Sequence, residues 1–63
     1  MDKRARLILE RAQELFGRDH PGRPWPVAAG RSDTAVLSLQ GRYLAHAEDR
    51  LLAEGVIEPV DQS

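Results

Sequence analysis

Two histidines are the side chains in this sequence best suited to acid–base chemistry, and each has a carboxylate close by in the chain. His20 directly follows Asp19, and His46 lies three residues before Asp49. A carboxylate can orient a histidine as a general base, but nucleophilic catalysis also needs a nucleophile fixed beside it on a rigid scaffold. No serine or threonine stands at a suggestive position, so we expect surface histidines and no enzymatic activity.

Metal and cofactor sites are not expected either. The chain has no cysteine, and two histidines are too few for a structural zinc site. Glu48 and Asp49 are adjacent, and neighbouring helical residues point in different directions, so the two do not converge on one metal ion. The five glycines are scattered over turn and cap positions, which does not make a phosphate-binding loop. The sequence therefore predicts neither a metal nor a cofactor.

Arginines and one tryptophan mark the first candidate binding surface. Arg18, Arg23 and Arg31 lie in a proline-rich stretch around Trp25, the only tryptophan. Arginines with an aromatic ring can bind a nucleic-acid backbone and stack on its bases. The net charge of −1, however, is far from the basic footprint of nucleic-acid-binding domains. The sequence therefore favours a protein as the partner of these residues, with nucleic acid as the alternative.

One short stretch resembles a known family. The chain resembles the end of the recognition helix and the start of the wing in winged-helix repressors. The resemblance covers eight of the 63 residues, Leu51-Leu52-Ala53-Glu54-Gly55-Val56-Ile57-Glu58. The chain departs from that family because a proline-rich loop replaces the preceding helix and no paired wing strands follow. The resemblance implies a DNA-binding transcriptional regulator. Independently of it, a nucleic-acid-binding regulator that uses the basic N-terminal half stays an alternative function.

Apolar residues at helical spacing predict two helices. The first covers residues 2–16, with Asp2 as its N-cap and Gly17 as the stop. The second covers residues 33–54 and ends at Gly55, because glycine readily adopts the conformation that terminates a helix. Both helices carry an apolar stripe on one side, which indicates that they pack against each other.

A long connection and a short tail complete the predicted domain. Three prolines within residues 17–31 exclude a regular helix there, and the tail, residues 55–63, has apolar side chains that can fold back on the core. Residues 1–63 therefore form a single all-α domain, an antiparallel helical hairpin with a long Pro/Trp loop. We expect the ring of Trp25 to lie across the gap between the helices, with an exposed anchor for a partner as the alternative.

Gly41 makes a second fold possible. A glycine inside a helix costs about 1 kcal/mol relative to alanine, and residues 34–39 alternate and contain β-forming side chains. A β-hairpin over residues 27–39, turning at residues 30–33, would then precede a shorter helix that begins near Gly41. This α–β-hairpin–α arrangement is the alternative to the helical hairpin.

A second face of the later helix is the other candidate binding surface. Four residues lie roughly opposite its apolar stripe: Ser38, Gly41, Ala45 and Leu52. Small side chains let another helix approach closely, which would explain the glycine; the alternative is that these are ordinary surface positions. We expect two copies to pair into a four-helix homodimer, because so short a chain builds only a thin core.

Charge is divided between the two halves of the chain. Residues 1–31 carry seven bases and four acids, and residues 32–63 carry two bases and six acids, so the halves hold +3 and −4. Such halves can attract each other within a hairpin or between two copies, but the sequence favours two ordinary solvated faces.

Composition and the lack of a recognisable catalytic or metal site together lead to the expected function. No apolar run reaches the length of a secretion signal or a membrane span, and the absence of cysteine fits the cytoplasm. We expect an adaptor, regulator or inhibitor that binds a larger protein, similar in size and shape to many regulators encoded by phages and mobile elements. A nucleic-acid-binding regulator and a structural subunit of a larger assembly are the alternatives.

Overall fold

Two α-helices joined by a long loop make up the structure, a computed structural model that describes residues 2–59. Helix α1 spans Lys3–Asp19 and helix α2 spans Thr34–Glu54, and no strand is present within the described part of the chain. The predicted all-α helical hairpin is therefore confirmed. Neither helix is long and apolar enough to cross a membrane. The last part of the predicted tail, residues 60–63, lies outside the described residues.

The β-hairpin alternative over residues 27–39 is wrong. Residues 34–39 lie in the first turns of α2, where the backbone N–H of Leu37 donates to the carbonyl of Asp33 at 3.1 Å. The alternating β-forming side chains cover only this short stretch, whereas the helical spacing of apolar residues continues through Leu51. The longer pattern prevails, because helical stability in proteins comes mostly from packing of the apolar face.

Helix α1 begins as predicted and ends later than predicted. The Asp2 side chain accepts a backbone N–H of the first turn at 2.7 Å, which caps the helix. The expected stop at Gly17 is wrong, because the helix continues to Asp19. Contacts of Phe16 and Asp19 with Tyr43 on α2 stabilise the additional turn. They outweigh the cost of a helical glycine, about 1 kcal/mol.

The bounds of α2 agree with the prediction to within one residue. Gly55 adopts the left-handed conformation, with φ of 75°. Its N–H donates to the Leu52 carbonyl at 3.1 Å, and the N–H of Val56 donates to the Leu51 carbonyl at 3.0 Å. These two bonds form a Schellman motif, which favours glycine at the left-handed position. At the other end Asp33 is the N-cap residue, although its side chain bonds to the loop and not to a helix N–H.

A thin apolar core lies where the two helices meet. Ala12 of α1 and Ala47 of α2 are fully buried, and such small side chains let the two backbones come close together. Larger side chains complete the core; the other buried residues of the described chain are Leu15, Phe16, Leu51 and Ile57. Because Ile57 is buried, the chain after α2 folds back on the core, as predicted for the tail.

Ion pairs link the basic first half of the chain to the acidic second half. Arg4 contacts Glu48 at 3.0 Å, and Arg11 donates two hydrogen bonds of 2.6 and 3.0 Å to Glu54. These hydrogen bonds are the main reason why the pKa of Arg11 is raised and the pKa of Glu54 is lowered. Two ion pairs therefore join the two halves within one hairpin.

Candidate functional site

Helix α2 extends well beyond the end of α1. Every ion pair, aromatic contact and side-chain hydrogen bond that joins the helices within residues 2–59 involves Tyr43 or a later residue of α2. The preceding nine residues, 34–42, form about 13 Å of helix that receives no such contact from α1. We call this stretch, together with the loop and the last turn of α1, the loop end; it covers residues 18–42.

The loop takes the place of α1 along this part of α2. It runs back over the helix, where the Pro26 carbonyl accepts a 2.6 Å hydrogen bond from the Gln40 side chain. Nearer the start of the helix, the backbone N–H of Ala29 donates to the Asp33 carboxylate at 3.1 Å. Irregular chain is a thinner cover than a helix, and none of residues 34–42 is buried.

Trp25 connects the loop to the core. Its ring meets the rings of Phe16 and Tyr43 edge to face, with centroids 5.9 and 6.5 Å apart. Phe16 and Tyr43 also meet edge to face, at 5.4 Å, so the three rings form one cluster. Trp25 is partly buried and packs against the core, which confirms the prediction that its ring lies across the gap between the helices.

Two large hydrophobic side chains are exposed on the loop end. Val27 is 79% exposed and Leu37 is 43% exposed. Val27 directly follows Pro26, whose carbonyl is bonded to Gln40, and Leu37 lies one turn before Gln40. The two side chains are therefore on the order of 10 Å apart. Neither was among the binding residues predicted from the sequence, because their exposure follows from where α1 ends.

Arginines give the loop end an excess of positive charge. Four of them are exposed: Arg18, Arg23, Arg31 and Arg42. None of the four is in an ion pair with another residue of the described chain. Only two acids, Asp19 and Asp33, lie in the same stretch, so four positive and two negative charges leave +2. The other described residues include five bases and seven acids, which leave −2.

The predicted second face of α2 is partly open. Ser38, Gly41 and Ala45 are exposed, and Leu52 is half-buried. A side chain at position 41 would meet no atom within 4 Å, so packing inside this chain does not require the glycine. Ser38 and Gly41 belong to the loop end and flank Leu37, whereas Ala45 and Leu52 lie farther along α2. The structure therefore brings the arginine loop and the first half of the predicted face to one end of the molecule.

An open, mostly apolar groove lies at the other end of the molecule. It has a volume of about 500 Å³ and lies between the start of α1 and the chain after α2, with Leu7, Val56 and Pro59 among its lining residues. Leu7, which the helical pattern places opposite the core stripe, is half-buried there. This burial arises because the chain after α2 returns past the start of α1.

A cleft of about 380 Å³ brings together polar side chains from both helices, Asp19, Arg42, Tyr43 and His46. The Tyr43 hydroxyl donates to Asp19 at 2.6 Å, and this hydrogen bond is the main cause of a raised tyrosine pKa. His46 is exposed, whereas His20 is half-buried because its ring packs 4.7 Å from that of Phe16. Within residues 2–59, no three potential metal ligands converge.

Among these features, the loop end combines the most signs of a binding surface. It has exposed apolar side chains, arginines without ion-pair partners among the described residues, and a length of helix that α1 does not cover. Comparisons with protein-family models, with curated proteins and with solved structures found no match to this chain.

Proposed function

We propose that this chain is a small non-enzymatic protein-binding module, an adaptor, regulator or inhibitor whose partner docks on the loop end. One observation carries the proposal: α2 continues beyond α1, and the loop that replaces α1 leaves Val27 and Leu37 exposed. Single exposed apolar residues are normal on a protein surface, but Leu37 lies on a stretch of α2 without a second helical layer, and Val27 lies in the loop that runs beside it. A partner segment would supply that layer and remove their surface from water.

The exposed fractions of Val27 and Leu37 give an estimate of how much their burial contributes to the free energy of binding. Full burial of an exposed aliphatic side chain contributes about 1.5–3 kcal/mol. Weighted by the exposed fractions of Val27 and Leu37, 79% and 43%, the two side chains together contribute roughly 2–4 kcal/mol. Since each 1.4 kcal/mol changes Kd about ten-fold, loss of this contact weakens binding by a factor of roughly 30 to several hundred.

Partner capture from a lysate of the native host, with three baits, tests the proposal. The baits are the natural sequence, Leu37→Asp and Val56→Asp. Val56 is a matched control, because it is exposed to a similar extent, 49%, but lies after α2 and outside the loop end. An aspartate at position 37 lies in the first turns of α2, where negative charge favours the helix, so the fold should persist. Circular dichroism checks this.

We expect a protein that the natural sequence and Val56→Asp retain and that Leu37→Asp loses. Retention of the same proteins by all three baits would refute docking on the loop end, as would retention of none by the natural sequence. The loss of captured protein counts only if the circular dichroism spectrum of Leu37→Asp shows that the helices are retained. An unfolded bait would lose its partners whatever surface they bind.

The alternatives suggested by the sequence lead to other results. A nucleic-acid-binding regulator that uses the basic N-terminal half would bind random duplex DNA, with an affinity that falls steeply as salt is added. A homodimer would show twice the mass of one chain in light scattering at high concentration. A structural subunit would be captured with several proteins of one assembly in fixed proportions.

A further inference from the structure

We infer that the segment which docks on the loop end is an acidic amphipathic helix of another protein. The inference rests on the proposed function and specifies the chemistry of the partner. Two separate features of the loop end support it: uncompensated positive charge, and an apolar row on α2 with the spacing of a helix-packing surface.

The arginines of the loop end form no ion pair with another of residues 2–59. Both ion pairs that join α1 to α2 use arginines outside it. Arg31 lies in the turn immediately before α2, where the N–H of Asp33 donates to the carbonyl of Gly30 at 3.1 Å. The carbonyl of Asp33 in turn accepts the N–H of Leu37, which places Arg31 beside the turn that carries the exposed leucine. Carboxylates on a partner would be attracted to this end and lysines repelled.

The apolar row consists of Leu37, Gly41 and Leu44, spaced four and three residues apart along α2. Residues at this spacing lie on one side of a helix, and helices pack against each other through such rows. Leu37 is exposed and Leu44 is half-buried against the core. Because no atom lies within 4 Å of a side chain built at position 41, another backbone can approach closely there. A helix with leucines at matching spacing fits this row.

Nucleic acid fits the same surface less well. The ring of Trp25 packs against Phe16 and Tyr43, so a base could stack on it only after displacing it from the core. Val27 and Leu37 would face the sugar–phosphate backbone, which is contacted mostly by hydrogen bonds and charge. An excess of two positive charges is also small beside the basic footprint of nucleic-acid-binding domains.

Two fluorescently labelled peptides test the inference on the full chain. Each is a helix of about five turns with leucines at the spacing i, i+3, i+4 and i+7. The remaining positions are mostly glutamate in one peptide and mostly lysine in the other. We expect fluorescence anisotropy at about 0.1 M salt to show that the acidic peptide binds at least about ten-fold more tightly than the basic peptide.

Variants of the protein locate the source of this preference. Arg31→Glu should reduce the preference for the acidic peptide about five-fold or more. Arg6→Glu makes the same change in charge at an exposed position of α1 outside the loop end, and salt screens charges over about 10 Å, so the preference should stay within about two-fold. Leu37→Asp should abolish binding of the acidic peptide, because it removes the leucine contact and adds a repelling carboxylate.

Several results would overturn the inference. These are equal binding of the two peptides, no binding of the acidic peptide at about 1 mM, and equal effects of Arg31→Glu and Arg6→Glu. Tighter binding of random duplex DNA than of the acidic peptide would assign the surface to nucleic acid. A two-chain mass in light scattering that Leu37→Asp returns to one chain would make a second copy the occupant.

Failure of this inference can be told apart from failure of the proposed function. If capture from lysate depends on Leu37 while the peptides are not distinguished by charge, a partner docks on the loop end but is not an acidic helix. If capture does not depend on Leu37, the proposed function itself fails.

Discussion

Replacement of Trp25 by alanine tests whether the loop is part of the folded core. The ring is partly buried and meets Phe16 and Tyr43 edge to face at 5.9 and 6.5 Å. Loss of a buried tryptophan side chain costs about 3–5 kcal/mol, so a partly buried ring contributes about 2 kcal/mol. The two aromatic pairs bring the expected loss in unfolding free energy to about 2–3 kcal/mol. For a chain of 63 residues, total stability is only about 3–9 kcal/mol.

Urea unfolding followed by circular dichroism measures this loss, since the variant has no tryptophan fluorescence. Val27→Ala is the control, because that side chain is 79% exposed and lies in the same loop; it should change the unfolding free energy by less than about 0.5 kcal/mol. The natural protein should show blue-shifted fluorescence that is protected from quenchers. A Trp25→Ala variant within about 0.5 kcal/mol of the natural protein would refute the reasoning and indicate an exposed anchor.

Two glycines and two titrating groups provide further tests. Gly41→Ala should raise the unfolding free energy by about 0.5–1 kcal/mol, because alanine favours a helix and space is open there. Gly55→Ala should lower the unfolding free energy by about 1 kcal/mol, because φ there is 75°, a left-handed conformation that alanine disfavours. Urea unfolding measures both variants, and changes of the same sign would contradict the two predictions. The lowered pKa of Glu54 means that its ion pair stabilises the fold at pH values above the ordinary glutamate pKa. This stabilisation is lost as pH falls through the pKa of Glu54 in the folded protein. Glu54→Gln should remove that part of the acid dependence, and an unchanged acid profile would count against the ion pair. The raised pKa of Tyr43 means that its hydroxyl stabilises the fold at pH values below the ordinary tyrosine pKa. This stabilisation is lost as pH rises through the pKa of Tyr43 in the folded protein. Asp19→Asn should lower the midpoint of phenolate absorbance, and an unshifted midpoint would be inconsistent with the hydrogen bond.

Local chemistry made both helices and most of their ends predictable. Asp2 caps α1 and Gly55 ends α2 because helix ends need particular residue types, a side-chain acceptor at the start and a left-handed residue after the last turn. The apolar stripes also predicted which sides of the helices meet. The placement of Trp25 followed from its size, since a thin core needs a large ring to fill the space between two helices.

The stop expected at Gly17 failed because a tertiary contact outweighs a local preference. Helix propensity differs by only about 1 kcal/mol between glycine and alanine. The ring contact and the hydrogen bond that Phe16 and Asp19 make with Tyr43 exceed that difference. Such contacts join residues far apart in the chain, so a local pattern does not contain them.

By itself, the sequence determined two helices, a proline-rich connection, an apolar stripe on each helix and the lack of a recognisable catalytic set. Only the tertiary structure decided that the ion pairs, aromatic contacts and side-chain hydrogen bonds from α1 involve no residue of α2 before Tyr43, and that the loop runs beside residues 34–42. That outcome exposes Val27 and Leu37 and brings them to the same end as the arginines. The physical reason is that periodicity specifies which side of a helix is buried, whereas exposure depends on how far a neighbouring element reaches along it.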